Sequence, residues 1–188
     1  GYAGAEAARL LATHPGVEIA WVTGRSEAGK RLASVFPHLR EIDQVIAAEP
    51  GETVDVAILA LPHHAAAEIA GSLLDRGIRL VDISADYRIR DQAVYEEFYG
   101  HHPAPELLAE AVYGLPEVYR DRIRGARLVA NPGCYPTASI LALLPALREG
   151  IIDGSVIVDA KSGVSGAGRT LALSSHFSEV DESVRAYG

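Results

Sequence analysis

Short apolar runs alternate along this chain with segments in which apolar residues recur at helical spacing. Nearly continuous apolar runs at residues 17–23, 54–61 and 78–83 predict strands that are buried on both faces. Residues 65–76 have the helical pattern, and Gly77 is placed to cap that helix. The strand, helix, strand order predicts a parallel sheet with covering helices, which is an α/β architecture.

The rest of the first three quarters of the chain continues this pattern. Residues 3–13 predict a helix, and residues 91–122, which are interrupted by prolines, predict short helices and loops. Residues 127–130 predict another buried strand, and residues 136–147 predict an apolar helix that Pro145 ends or kinks near its last turn.

A second unit is predicted to begin near residue 148. Residues 155–160 form a fresh apolar run, which predicts a strand leading into a Gly/Ser-rich loop at 162–168. We therefore expect a Rossmann-like parallel sheet with helices on both faces in residues 1–148, and the start of a second domain in residues 149–188.

Composition narrows the class of protein. The formal charge is −8 and the 17 basic residues are scattered, so nothing indicates a nucleic-acid surface or an anionic membrane as partner. The single Cys excludes an internal disulfide, and no segment has the apolar length of a membrane span or the pattern of a secretory signal. These features favour a cytoplasmic protein.

Polar, turn-forming residues follow each predicted strand. Because ligands of open parallel sheets bind beyond the carboxyl ends of the strands, we expect these turns to converge on one edge. The turns contain Thr23, Gly24, Arg25 and Ser26; Pro62, His63 and His64; Ser84, Asp86 and Arg88; and residues 131–137.

Two of these features indicate a dinucleotide. Gly1 and Gly4 lead into a helix, as in the tail of a glycine-rich turn that brings backbone amides close to a pyrophosphate. Arg25, with Ser26 beside it, stands where NAD-binding proteins place an acidic residue, and an Arg there accommodates the 2′-phosphate of NADP. Ordinary glycines and a solvated Arg remain the alternative interpretation.

Cys134 is the strongest candidate for chemistry. Asn131, Pro132 and Gly133 force a turn directly after a buried strand, and Pro136 suits the first turn of the next helix, so the sulfur is expected at a helix N-terminus. The partial positive charge there stabilises a thiolate over a thiol. A small buried Cys is the alternative.

The remaining polar groups leave several interpretations open. The loop at 162–168, followed by Arg169, resembles a phosphate or carboxylate cradle but is also compatible with a plain turn. Asp86 and Arg88 orient a substrate or pair with each other on the surface. His63 and His64 contact a ligand or form a solvent-exposed pair. No Cys or acidic residue falls at ligand spacing from the histidines, so no metal site is predicted.

Taken together, these motifs resemble the N-acetyl-gamma-glutamyl-phosphate reductases of the aspartate-semialdehyde dehydrogenase superfamily. The resemblance extends over nearly the whole chain. Its matching stretches are residues 1–6, 22–30, 36–39, 60–63, 82–88, 112–117, 129–137 and 159–169.

The resemblance implies NADPH-dependent reduction of an N-acetylated glutamyl phosphate to its semialdehyde in arginine biosynthesis, with Cys134 as nucleophile and phosphate as leaving group. It also implies a homo-oligomer built through an α+β substrate and dimerisation domain that starts at 149. The resemblance and the positions of residues just after the predicted strands together give the expected cofactor-binding residues. These are Gly1, Gly4, Thr23, Arg25, Ser26, Pro62, His63, Ser162, Gly163, Ser165 and Gly166. The implied substrate-binding residues are Ser84, Asp86, Arg88, Asn131, Gly133 and Tyr135.

The resemblance further implies segments outside this chain. The family's first strand and first fingerprint glycine are expected before Gly1, and its acid/base His is expected after Gly188, so residues 1–188 alone are expected to be inactive and poorly stable. Two other functions stay open: reduction of an aminoadipyl or glutamyl phosphate on a carrier protein, and a non-catalytic dinucleotide-binding module with a structural Cys134.

Overall fold

The computed structural model describes residues 1–186, in which helices alternate with parallel strands. The predicted α/β, Rossmann-like class is confirmed. The strands are β1 (Val22–Thr23), β2 (Ile46–Ala47), β3 (Val56–Leu59), β4 (Arg79–Asp82), β5 (Val112–Tyr113) and β6 (Leu128–Ala130). The α-helices are α1 (Tyr2–Ala12), α2 (Leu32–Val35), α3 (Ala65–Asp75), α4 (Gln92–Tyr99), α5 (Pro116–Gly125), α6 (Cys134–Arg148) and α7 (Phe177–Val180). Short 3₁₀ turns occupy Pro37–Leu39, Pro105–Leu107, Val164–Ala167 and Leu173–Ser175.

The strands form a four-stranded sheet in the order β3-β4-β6-β5 and a two-stranded sheet of β1 and β2. Every pairing between these strands is parallel. In the larger sheet β4 lies in the middle, with Val81 opposite Ile58 on one side and Val129 on the other. The carboxyl ends of β3, β4, β6 and β5 therefore lie at one edge, as the sequence predicts for the turns after β3, β4 and β6. The sequence predicts the turn after β1 at the same edge, but β1 belongs to the separate two-stranded sheet.

The main core joins β3, β4 and β6 to α3. Ala66 and Ala70 on α3 are 0% exposed, and their small side chains let the helix pack closely on Leu59 and Leu80 of the sheet. Gly77 ends α3 at φ 80°, a left-handed conformation, and donates its N–H to the carbonyl of Leu74 at 2.9 Å. The predicted glycine cap is confirmed.

Burial on both faces holds for β6 but not for β3 and β4. All of β6 is buried, whereas β3 and β4 alternate between buried and more exposed positions, and Val56 is 49% exposed. The second face of the sheet is thus less covered than the continuous apolar runs predict. The runs at 17–23 and 54–61 also form shorter strands than their lengths suggest, because only part of each run has a paired neighbour.

Two further predicted elements differ in the structure. The predicted strand at 155–160 is wrong: these residues are exposed and form no strand, because a strand needs a hydrogen-bonding partner and the described residues supply none there. Helix α6 starts at Cys134, two residues earlier than predicted, and continues past Pro145 to Arg148. No helix among residues 1–186 has the length and apolar character required to cross a membrane.

Candidate active site

Cys134 is the first residue of α6 and its side chain is exposed. The fully buried β6 ends at Ala130, and Gly133 is the N-cap of the helix. Thr137 fixes this turn, since its N–H and its hydroxyl both donate to the carbonyl of Gly133, at 3.0 and 2.8 Å. The predicted position of Cys134 at a helix N-terminus is confirmed, while its role as nucleophile stays a prediction.

Arg88 lies beside the Cys134 turn. Its Nε donates to the carbonyl of Asn131 at 2.8 Å, and its Nη2 donates to the carbonyl of Ile83 at 2.6 Å. A Cβ on Gly133 would approach Arg88 Nη1 to 3.1 Å, so the missing side chain at Gly133 makes room for the guanidinium. A fixed positive charge therefore stands next to the turn that carries the thiol.

Asp86 does not pair with Arg88 on the surface, which was one of the two alternatives for these residues. Its side chain is 0% exposed, and its carboxylate accepts hydrogen bonds from the N–H groups of His64 and Ala67 and from the hydroxyl of Tyr95. A direct contact of Asp86 with substrate stays a prediction, but the oxygens are bonded to protein donors here.

Ser84, which is also buried in this turn, bonds within the protein as well. Its hydroxyl donates to Asp82 Oδ2 at 2.7 Å, and its N–H donates to Asp82 Oδ1 at 3.0 Å. Burial raises the pKa of Asp82, which the two hydrogen bonds from Ser84 partly offset. Ser84 thus supports the loop between β4 and Arg88 from its buried side.

The turn after β3 presents two exposed residues, Pro62 and His63, at the sheet edge. His64 is half-buried, and its Nε2 lies 2.9 Å from the carbonyl of Tyr99. The solvent-exposed histidine pair is therefore wrong for His64. Within residues 1–186, no group of three or more His, Cys, Asp and Glu side chains is arranged to hold a metal ion.

Helix α1 begins beside the same edge. Gly1 is its exposed N-cap, and a Cβ added to Gly1 would meet no atom within 4 Å. Gly4 lies one turn further, where a Cβ would come within 3.2 Å of Ala60 Cβ at the end of β3. The absence of a side chain at Gly4 lets the helix N-terminus approach the strand end, as a dinucleotide turn requires.

Arg169, the residue after the predicted loop at 162–168, contacts the segment that follows β1. Arg169 Nη1 is 3.2 Å from Glu27 Oε1, and its guanidinium lies over the ring of Phe36 at 5.0 Å. Hydrogen bonds from Lys30 and then from Arg169 lower the pKa of Glu27. Two segments predicted to bind cofactor are thereby brought together, with Thr23, Arg25, Ser26, Ser162, Gly163, Ser165 and Gly166 all exposed.

Sequence reasoning missed the buried residues behind the edge. Tyr95 and His102 are both 0% exposed, and their rings contact each other with centroids 4.6 Å apart. They lie in the segment that the sequence predicts as short helices and loops. Apolar spacing gives no signal for them, since both are polar aromatic residues in a segment without strong periodicity.

Two family models match this chain. Residues 1–126 match the family model "Semialdehyde dehydrogenase, NAD binding domain", and residues 134–188 match "Semialdehyde dehydrogenase, dimerisation domain". A relative from Dehalococcoides mccartyi, named N-acetyl-gamma-glutamyl-phosphate reductase, is 56% identical over 188 residues, which is 100% of this chain and 55% of that protein. A relative of the same name from Azotobacter vinelandii is 52% identical and is covered to 56%.

Among solved structures, aspartate semialdehyde dehydrogenase II from Vibrio cholerae aligns with a TM-score of 0.48 and 16% identity, over 68% of this chain and 33% of that one. The chain spans about half the length of the curated relatives it matches. The family model for the NAD-binding domain covers more than half of the chain, and the resemblance seen in the motifs is confirmed. The chain belongs to the semialdehyde dehydrogenase family.

Proposed function

We propose that this chain is the dinucleotide-binding and nucleophile-carrying part of an N-acetyl-gamma-glutamyl-phosphate reductase, a cytoplasmic enzyme of arginine biosynthesis. The observation that carries the proposal is the exposed Cys134 at the N-terminus of α6 with the Arg88 guanidinium beside Gly133. The shared name of relatives that are 56% and 52% identical supports this substrate over a carrier-linked one. The match of residues 134–188 to a dimerisation domain supports a homo-oligomer.

The residues at the sheet edge fit a nicotinamide dinucleotide. Gly4 packs close to Ala60 and Gly1 has open space around it, so backbone amides at the N-terminus of α1 can approach a pyrophosphate. Arg25 and Ser26 are exposed at the end of β1, where an Arg pairs with the 2′-phosphate of NADP. We therefore infer NADPH as the cofactor, with Thr23, Pro62, His63, Ser162, Gly163, Ser165 and Gly166 as its further contacts.

The chemistry follows from the surroundings of Cys134. Its sulfur attacks the acyl carbon, and the bond from that carbon to the phosphate oxygen breaks. Inorganic phosphate departs, and the acyl group remains on Cys134 as a thioester. When bound, NADPH would supply the hydride for the thioester carbon. The C–S bond of the resulting thiohemiacetal then breaks, which releases the semialdehyde and regenerates the Cys134 thiolate. The Arg88 guanidinium and the N-terminus of α6 stabilise negative charge on the phosphate and on the developing oxyanion.

Substrate contacts in this proposal come from Arg88, Asn131, Gly133 and Tyr135, which lie on or beside the turn. Ser84 and Asp86 support the loop after β4 from the protein interior, because both side chains are buried and bonded to protein groups. That residues 1–188 alone are inactive stays a prediction.

A coupled assay on the full-length protein tests the proposal. We expect NADPH oxidation with N-acetyl-gamma-glutamyl phosphate and release of one phosphate per NADPH, and little turnover with a carrier-linked acyl phosphate. Binding of NADPH without turnover of either substrate would contradict the enzyme assignment and favour a dinucleotide-binding module.

The choice of cofactor is tested separately with Arg25→Ala. Loss of a charge-assisted contact to the 2′-phosphate is expected to raise the KM for NADPH about tenfold and to leave the KM for NADH unchanged. Arg40→Ala is a matched control, since Arg40 is an exposed cation that forms an ion pair with the exposed Glu41. An equal effect of Arg25→Ala on NADPH and NADH would contradict the assignment of NADP.

A further inference from the structure

His64 has an unusual backbone conformation for a residue with a side chain. Its φ is 68° and its ψ is −44°, a combination that crowds the Cβ and that non-glycine residues rarely adopt. His64 is also the N-cap of α3 and directly follows Pro62 and His63, the exposed residues of the turn after β3. Such a conformation persists only where neighbouring groups hold it, and it concentrates at functional sites.

The carboxylate of Asp86 holds this conformation. Its Oδ1 accepts the N–H of His64 at 2.8 Å, and its Oδ2 accepts the N–H of Ala67 at 3.0 Å. These are the N-cap and third-residue donors of α3, the two groups that a capping box satisfies from within its own helix. Here a residue from the loop after β4 caps the helix instead, because the side chain of His64 makes no capping bond.

The ring of His64 is held from another direction. Its Nε2 lies 2.9 Å from the carbonyl of Tyr99, and since a carbonyl only accepts, Nε2 carries the hydrogen. The backbone and the ring of His64 are thus fixed by two different segments, the loop after β4 and the end of α4.

Asp86 is itself fixed by buried partners. The Tyr95 hydroxyl donates to Oδ1 at 3.0 Å, and the Ser84 hydroxyl oxygen accepts the N–H of Asp86 at 3.1 Å. The carbonyl of Asp86 accepts from His102 Nε2 at 2.8 Å, and His102 Nδ1 accepts the N–H of Ala104 at 3.0 Å. A backbone N–H only donates, so His102 is in its Nε2–H form, which suits both bonds.

The loop from Ser84 to Arg88 therefore contacts two neighbouring turns. Asp86 bonds to the turn of His64 after β3, and Arg88 bonds to the turn of Asn131 after β6. Since β4 lies between β3 and β6, a single short loop reaches both. The two contacts use different side chains, so one can be removed while the other remains.

We propose that Asp86 is a positioning residue for the dinucleotide: it holds His64 in its strained conformation and thereby keeps Pro62 and His63 at the sheet edge in the arrangement that receives the cofactor. This inference rests on the proposed function, in which Pro62 and His63 contact NADPH. In this proposal Asp86 acts on the cofactor through the backbone of His64.

The test is NADPH affinity, measured by calorimetric titration of the full-length protein without acyl phosphate. Asp86→Asn replaces one acceptor oxygen by an NH₂ group that faces a backbone N–H, so we expect the Kd for NADPH to rise about tenfold or more. The rate of Cys134 alkylation by iodoacetamide should stay within about twofold, because Arg88 holds that turn independently. Asp91→Asn is the matched control: Asp91 caps α4 through the N–H of Val94 but does not contact the turn.

The variant His64→Gly separates the proposed role of Asp86, which is to hold the backbone of His64, from a general contribution of Asp86 to stability. Glycine adopts a φ of 68° without strain, so in His64→Gly the backbone conformation of residue 64 no longer depends on Asp86. Added to Asp86→Asn, His64→Gly should recover part of the lost affinity. His64→Ala keeps the strain and should give no recovery.

Several outcomes overturn the proposal. It is wrong if Asp86→Asn binds NADPH as tightly as the wild type, or if the rate of Cys134 alkylation falls in parallel with NADPH affinity. It is also wrong if His64→Gly, added to Asp86→Asn, restores none of the lost NADPH affinity. Should Asp86→Asn fail to fold, Tyr95→Phe removes a single donor to Oδ1 and should raise the Kd about threefold; an unchanged Kd there also overturns it. Turnover of the wild type tests the proposed function separately, because these titrations need no acyl phosphate.

Discussion

Arg88 Nε donates to the backbone carbonyl of Asn131 at 2.8 Å, which ties the loop after β4 to the turn that carries Cys134. The same planar guanidinium also donates from Nη2 to the carbonyl of Ile83, and its Nη1 lies next to Gly133. The position of the candidate nucleophile therefore depends on a side chain from the neighbouring strand end.

Arg88→Lys is expected to lower kcat/KM for the acyl phosphate about 10²-fold, because an ammonium keeps the charge but cannot bridge both carbonyls in the guanidinium geometry. Steady-state kinetics of the full-length protein measure this. Arg90→Lys, which changes an exposed Arg bonded to the carbonyl of Ala109, is the control and should stay near the wild type. An unaltered kcat/KM in Arg88→Lys would contradict the positioning of the turn by Arg88.

Cys134→Ser is expected to reduce kcat about 10³-fold or more, since a hydroxyl at this position is a much weaker nucleophile than a thiolate. NADPH affinity should not change, because the predicted cofactor contacts lie elsewhere on the edge. Ser139→Ala, a change within the same helix, should leave kcat within about twofold. Activity that survived Cys134→Ser would show that another group attacks the substrate.

Gly114→Ala is expected to lower the free energy of unfolding by about 1–3 kcal/mol and to slow the reduction. A Cβ at Gly114 would lie 2.9 Å from Val129 Cγ1, 3.1 Å from the carbonyl oxygen of Ala130 and 3.2 Å from Asn131 Cα, so the strand end before Cys134 would have to move. Urea unfolding with steady-state kinetics measures both effects. Gly125→Ala is the control, because a Cβ there meets nothing within 4 Å.

The buried Asp82 is expected to give the stability a specific pH dependence. Burial raises its pKa in the folded state above the value of about 3.9 in the unfolded chain, so the native state binds the proton more tightly. The stabilisation that comes from this tighter proton binding is present below the pKa of Asp82 in the unfolded chain. It is lost as pH rises through the higher pKa of Asp82 in the folded state.

Urea unfolding of the wild type and of Asp82→Asn at several pH values from about 3.5 to 7 measures this dependence. The stability of the wild type relative to the variant should fall as pH rises across this window and then become constant. A difference that is constant throughout would show that the folded state does not perturb Asp82. A difference that grows in favour of the wild type would reverse the predicted sign.

Much of the fold is predictable from local sequence. The helix α3 and its glycine cap at Gly77 follow from apolar spacing and from the need for a left-handed residue, both of which depend on a few neighbouring positions. The predicted strand at 155–160 fails for the converse reason. An apolar run becomes a strand only when another strand lies beside it, and a local pattern carries no information about that neighbour.

The family, the parallel α/β pattern and the place of Cys134 between a buried strand and a helix all follow from the amino-acid sequence alone, because motifs, apolar runs and turn residues act over short distances. The hydrogen-bond partners of the polar residues, by contrast, depend on the folded arrangement of the chain. Asp86 bonds to His64 across 22 residues of sequence, and Arg88 bonds to Asn131 across 43. These pairings arise because β4 lies between β3 and β6, and strand order in a sheet is set by the packing of the whole chain.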